Sequence, residues 1–272
     1  MSDGLLVIRL LASAVWRDLK TLTRYKVNFA FEILSGVLWG LALLLLVPLY
    51  ASSGIGAVTG TTNYISFLLL GVSFQAYQGV ALWGAAGRLR EELNLGTVEY
   101  ILSNPVPRQW YLISTTLAMA VTDTLGFLPM FLVAVFFVGP SLTAPGLALA
   151  LGSALLAAAA LAQLGVLFAT LVLKFKNVTA IFGFFNLGFQ MMTGMFVPLQ
   201  VLPQPLAAAS VLFPMTFGID LMRHYLLGSI LVFPEELEWL GLAIQLVALG
   251  LLAKVALTYV ERSAKQEGLH YV

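Results

Sequence analysis

Three long stretches of the chain, residues 33–87, 124–173 and 177–219, contain no Asp, Glu, Lys or Arg. An α-helix crosses the roughly 30 Å hydrocarbon layer of a bilayer in about 20 residues, so each stretch is too long for one passage and must fold back. The turning points are written in residues that suit turns better than helix interiors. Residues 51–63 are rich in Gly, Ser and Thr, and residues 139–146 carry Pro140 and Pro145. The pattern predicts crossings near residues 27–50, 64–87, 110–138, 147–173, 178–197 and 238–260, and Pro129 predicts a kink in the third.

Ahead of the first crossing the period changes to that of a two-faced helix. At 100° per residue, Ile8, Leu11, Val15, Leu19 and Leu22 share one face, with Arg9, Ser13, Arg17, Lys20 and Arg24 opposite. A basic amphipathic helix of this kind rests at the lipid interface with its cations toward anionic headgroups; packing against another domain is the alternative. Residues 1–26 are therefore read as an interfacial helix and residues 27–272 as the membrane domain.

Residues 88–109 form the one substantial polar loop between crossings. Gly96 is a natural stop for a first short helix, Thr97 can cap a second with Glu99 in its first turn, and Pro105 ends that second helix near Asn104. Taken alone, this is only good turn and cap chemistry. Residues 198–237 differ again: Pro198, Pro203, Pro205 and Pro214 cut them into pieces too short to span, yet residues 206–213 are largely apolar. The combination predicts a re-entrant hairpin, because non-helical backbone at membrane depth must be buried in protein or face water. Asp220, Arg223 and His224 follow at i, i+3 and i+4, so the carboxylate can meet both neighbours, as a structural ion pair or as part of a gate.

Composition agrees with a lipid solvent: 60% of residues are hydrophobic and 10% charged, against about a quarter charged in soluble domains. The net charge of +1 gives no reason to expect a nucleic-acid partner, but the placement of charge is informative. With the N-terminus inside, 13 of the 14 Lys and Arg fall in cytoplasmic segments or, for Lys254, snorkel to them, and only Arg223 is left outside. A cleaved signal peptide is not expected, since the first apolar run begins late and is too long. Within the crossings, Glu32 and Lys254 lie near the ends while Asp123 lies deep, where a charge costs roughly 2.5–3.5 kcal/mol and so faces protein or a wet cavity. Gln163, Asn186 and Gln190 are read as interhelical hydrogen-bonding residues.

Several chemistries are missing. The chain has no cysteine, no P-loop and no Gly-Lys pair, so disulfides and phosphate cradling are excluded and any ATP must be handled by another polypeptide. His224 and His270 are the only histidines, no metalloprotease or serine-hydrolase motif occurs, and neither an enzyme nor a metal or cofactor site is expected. A stand-alone secondary transporter or channel remains the alternative, weakened by the single deep carboxylate and the lack of paired repeats.

The order of several short motifs resembles the permease subunits of ABC type-2 transporters. They are Arg24-Tyr25-Lys26, Arg90-Glu91-Glu92, Gly96-Thr97-Val98-Glu99 and Leu102-Ser103-Asn104-Pro105-Val106-Pro107, then Gly194-Met195-Phe196-Val197-Pro198 with Leu202-Pro203, and Phe213-Pro214-Met215-Thr216-Phe217 leading to Asp220. The resemblance implies an all-α integral membrane protein of six transmembrane helices with an N-terminal interfacial helix, a cytoplasmic coupling helix and an outer re-entrant hairpin over residues 198–237. It further implies a dimer in the plasma (inner) membrane, both termini cytoplasmic, served by separate ABC ATPase subunits that hold ATP and Mg. The coupling helix would contain Glu91, Glu92, Gly96, Thr97 and Glu99. Short outer loops fit lateral or internal loading of an amphiphile. A hydrophobic drug, lipid or lipid-linked glycan would then be exported along faces bearing Phe185, Phe189, Met192 and Met195.

Overall fold

The computed structural model describes residues 3–52, 54–96, 108–139, 142–174 and 178–267, and among them every regular element is a helix. Five stretches are long and apolar enough to cross a bilayer: Ile33–Ala51, Tyr64–Glu91, Trp110–Val138, Ala144–Val172 and Glu235–Val260. The first comprises most of α2 (Lys26–Leu43), a single 3-10 turn, and α3 (Val47–Ser52), which a short α4 (Ile55–Thr59) follows. The second joins α5 (Tyr64–Ser73) to α6 (Gln75–Leu95) across Phe74. The third and fourth are α7 (Arg108–Val138), which runs unbroken through Pro129, and α8 (Ala144–Lys174).

Small residues put α8 at the centre. Ala150, Ala154, Ala157, Ala158 and Ala162 are buried, and without bulky side chains their backbone lets α6 and the helices Pro214–Leu227 and Glu235–Glu267 approach closely. A Cβ added at Gly165 would stand 2.9 Å from the Val80 carbonyl oxygen, so α6 and α8 are in near-backbone contact there. At the periphery, the first crossing exposes Leu34, Leu38, Leu41 and Leu45, and the last helix, α12 (Glu235–Glu267), exposes Ile244, Val247, Leu251 and Val255. Apolar stripes at this helical spacing suit a lipid solvent, which leaves no reason to bury them.

The N-terminal α1 (Asp3–Arg24) packs against α7 and touches α2. Arg9, Arg17, Lys20 and Arg24 are exposed, while Leu11, Val15 and Leu19 are half-buried, so the two faces fall as the periodicity predicts. Contact with α7 adds Ala14 and Asp18 to the buried side.

The fifth crossing is shorter than predicted. Its helix, α9 (Thr179–Met192), has 14 residues and covers about 21 Å, less than a hydrocarbon layer. The segment nevertheless reaches across. Thr179 meets Arg90, Phe182 packs on Trp83, Asn186 receives a 2.6 Å hydrogen bond from Gln78, and the Met195 carbonyl lies against Gly71. From Arg90 back to Gly71 the second crossing rises about 29 Å at 1.5 Å per residue. The non-helical residues 193–195 therefore complete the passage that the helix leaves unfinished.

Beyond it, α10 (Gln204–Ser210) and α11 (Pro214–Leu227) are bent by 95° and do not form a straight span. The break lies deep: Gln245, about 15 Å into α12, donates to the Val211 carbonyl at 2.6 Å, and Thr216 donates to the Ser210 carbonyl at 2.6 Å. The Ser210 carbonyl also accepts from the Phe213 N–H at 3.0 Å, so both carbonyls at the bend are satisfied, as backbone at this depth requires. Most of α11 is buried, packed on α8, α12 and α5, which makes this region the re-entrant element that the prolines predict.

Candidate functional site

Two junctions stand out, one at each end of the bundle. At the basic end, α6 continues past its apolar stretch to Leu95 and stops at Gly96, whose φ of 69° is the left-handed value that glycine adopts freely. Its last turns are tied to two other elements. Arg88 donates to the Asp18 carboxylate of α1 at 2.8 Å, an oxygen that also accepts from Arg17 at 3.1 Å. Asp18 is only 6% exposed, and a charge-assisted hydrogen bond so screened from water is stronger than a surface ion pair. Two residues further on, Arg90 donates to the Thr179 hydroxyl at the start of α9, at 3.2 Å. Glu91 is exposed beside these contacts and Glu92 lies in the same helix. Thr97, Glu99 and the second short helix ending near Asn104 lie outside the described residues.

Asp18 was not among the sequence candidates. Its signal is a lone acidic residue within the basic run from Arg9 to Lys26, the arrangement expected where one cation must be held.

At the opposite end, Asp220, Arg223 and His224 do not close on one another as their spacing suggests. Arg223 holds α5 and the chain beyond α9, while Asp220 and His224 both hold the connection that follows α11. Arg223, 2% exposed, donates to the carbonyls of Phe67 at 2.9 Å, Gly194 at 2.7 Å and Met195 at 3.2 Å, with its guanidinium 3.6 Å from the Phe67 ring centroid. Gly194 has φ of 81°, so the chain leaves α9 through a left-handed residue and turns its carbonyls toward Arg223. Asp220 accepts from the Val232 N–H at 2.9 Å, and the His224 ring meets the Ser229 carbonyl at 2.8 Å. Arg223 is thus a staple across the irregular backbone, with the Asp220 carboxylate beyond direct contact but near enough to attract it. A Cβ at Gly71 would collide with both the Met195 carbonyl and the guanidinium.

Of the four residues assigned to a substrate path, Phe189 and Met195 are fully buried, Phe189 against Phe213 with ring centroids 4.9 Å apart. Phe185 and Met192 are half-buried, Phe185 packing on Phe168. The exposed side of α9 is a different stripe: Phe184, Leu187 and Met191. Their spacing of three and four residues was legible in the sequence, but the face that packing would bury was not. Among the described residues, no group of three or more His, Asp or Glu is placed to hold a metal ion.

No curated protein matches the sequence. The family model described as ABC-2 type transporter matches residues 9–227, from the amphipathic helix through the last turn of α11. An all-helical bundle with a bent pair of helices before its last crossing, and that match over most of its length, make this chain a member of the ABC-2 type transporter family, a membrane transport subunit.

Proposed function

We propose that the chain is the permease subunit of an ABC exporter. It pairs with a second permease, identical or paralogous, and with separate ATPase subunits that carry ATP and Mg. It moves a hydrophobic or amphiphilic substrate outward across the plasma membrane by alternating access. Both termini are cytoplasmic in this reading, because the positive-inside rule assigns the basic end to the cytoplasm.

One observation carries the mechanism: the base of α6 is bonded to α1 through Arg88 and Asp18 and to α9 through Arg90 and Thr179. A loop bearing Glu91, Glu92, Gly96, Thr97 and Glu99 that sits on an ATPase therefore pulls on two elements besides its own helix. Movement of α9 reaches the far end through residues 193–195, where Arg223 ties them to α5 and to α11. This is a contiguous set of packed elements linking ATP use to an outer plug, the physical requirement for coupling. The carboxylates set register on the ATPase more than they add affinity, since exposed ion pairs contribute about 0–1 kcal/mol. In this reading the substrate follows α9. Phe185, Phe189, Met192 and Met195 form its inner packing, while Phe184, Leu187 and Met191 make the contacts.

The test is to ask whether an adjacent reading frame encodes a P-loop ATPase and to co-express the candidate with this chain. The two should copurify, and Glu92→Lys with Glu99→Lys should cut transport and substrate-stimulated ATP hydrolysis at least tenfold while leaving the permease folded. Absence of a copurifying ATPase, together with full transport by the double variant, would return the protein to the class of stand-alone carriers.

A further inference from the structure

A cavity of about 350 Å³ opens between α2, α6 and α7, apart from the α9 faces described above. Ser35 and Trp39 line it from α2, Gln75 and Gly79 from α6, and Thr122 and Asp123 from α7. Asp123 stands midway along the 31 residues of α7, deep in the layer. Glycines leave the room: Gly36, Gly79 and Gly126 all line the cavity, a Cβ on Gly36 would meet nothing within 4 Å, and one on Gly79 would stand 4.0 Å from an Asp123 carboxylate oxygen. Beside it, α2 packs tightly on Met130 and Leu69 at Gly40. Trp39 is 47% exposed, so the cavity opens toward the surface on the α2 side.

The lining has one charge sign. Asp123 is the only ionisable residue among the described residues that form it, and the remaining polar groups are neutral hydroxyls and an amide. A carboxylate at this depth sits in low dielectric, where it attracts a cation and repels an anion far more strongly than at a surface. The indole of Trp39 adds a face suited to a quaternary or protonated amine. The volume lies within the range of small-molecule sites, and the walls are mostly apolar with few polar groups, as such sites are.

We infer that this cavity binds an amphiphile carrying a single positive charge, with its cationic nitrogen or phosphorus centre at Asp123 and its apolar body between α2 and α7. The inference deepens the permease reading and rests on it. It also narrows the substrate: a phosphate-bearing lipid-linked glycan would meet the Asp123 carboxylate with like charge at this site.

The experiment uses purified protein in nanodiscs and a matched pair of probes, tetraphenylphosphonium and tetraphenylborate, which share a shape and differ in charge. Equilibrium dialysis against empty nanodiscs should show saturable binding of the cation at least tenfold tighter than of the anion. Asp123→Asn should abolish that preference, Asp123→Glu should retain it, and Gly79→Leu should weaken cation binding at least tenfold by filling the site. Equal binding of the two probes by the wild-type protein, or an undiminished preference in Asp123→Asn or Gly79→Leu, would overturn the inference. Should the Asp123 variants not fold, the wild-type charge preference and Gly79→Leu still decide. Binding in nanodiscs needs no ATPase, so failure here leaves the coupling reading standing, and loss of the ATPase partner leaves this result standing.

Discussion

A guanidinium presents five donors in a rigid plane and keeps its charge at any physiological pH, and Arg223 directs its three nitrogens at the Phe67 carbonyl of α5 and at the Gly194 and Met195 carbonyls beyond α9, two oxygens that no helix satisfies. Truncating it strands those oxygens in a site without water, at about 1–3 kcal/mol for each buried acceptor left unpaired. Arg223→Gln is therefore expected to destabilise the fold by about 3 kcal/mol or more. Arg223→Lys should recover only part of this, because an ammonium is a point donor and cannot reach Phe67 and Gly194 from one plane. Thermal unfolding followed by tryptophan fluorescence in a fixed detergent should rank wild type above Lys above Gln, and a Lys variant equal to wild type would show that charge alone matters. The same residue marks a limit of sequence reading. Spacing can bring Asp220 within reach of Arg223 on one helix face, but it cannot see carbonyls released elsewhere by a break at Gly194. Backbone acceptors belong to every residue type and leave no compositional trace.

Elements were legible where hydropathy has edges. Charges bracket most of the crossings, and the chain leaves α3 and α7 in the Gly-, Ser- and Pro-rich stretches that predicted a turn. The fifth crossing lacked such an edge: the apolar run continues from residue 178 to 197 while the helix ends at Met192, a change of conformation with no change of polarity. How tightly helices pack was equally hidden, because glycines at a close contact and at a loose one look alike in a sequence. Gly165 and Gly40 separate the two cases. A Cβ at Gly165 meets the Val80 carbonyl at 2.9 Å, whereas one at Gly40 meets the mobile end of Met130 at 2.5 Å. Backbone cannot retreat without shifting α6, but a methionine can change rotamer. Gly165→Ala should therefore cost about 1–3 kcal/mol, as overpacking does, and Gly40→Ala less than about 1 kcal/mol. Unfolding midpoints of the two variants, measured side by side, check the order. Equal losses would mean that α2 and α6 are seated with equal tightness.

For the molecule as a whole, the asymmetry of charge predicts which end faces the cytoplasm, and the absence of cysteine makes that testable without background. Single cysteines at the exposed positions Lys20 and Arg262 on the basic end should resist an impermeant maleimide on intact cells. A cysteine at Glu236 on the opposite end should react, and the reverse pattern would invert the topology. The polar loop 88–109 was recognisable as a break between crossings, yet what fastens its base to the bundle was not. The Asp18 to Arg88 bond joins positions 70 residues apart, and nothing local to either residue announces the other. The Arg223 staple has a consequence for how the chain is made. Its first acceptor, the Phe67 carbonyl, lies 156 residues earlier in the sequence. A guanidinium taken out of water before its acceptors are in place carries an uncompensated desolvation cost. That penalty lifts only once α5 and residues 193–195 are already waiting. Synthesis therefore imposes an order on assembly: the early crossings form a receptor, the bent pair docks into it late, and a ribosome paused before Arg223 would leave a bundle whose far end stands open.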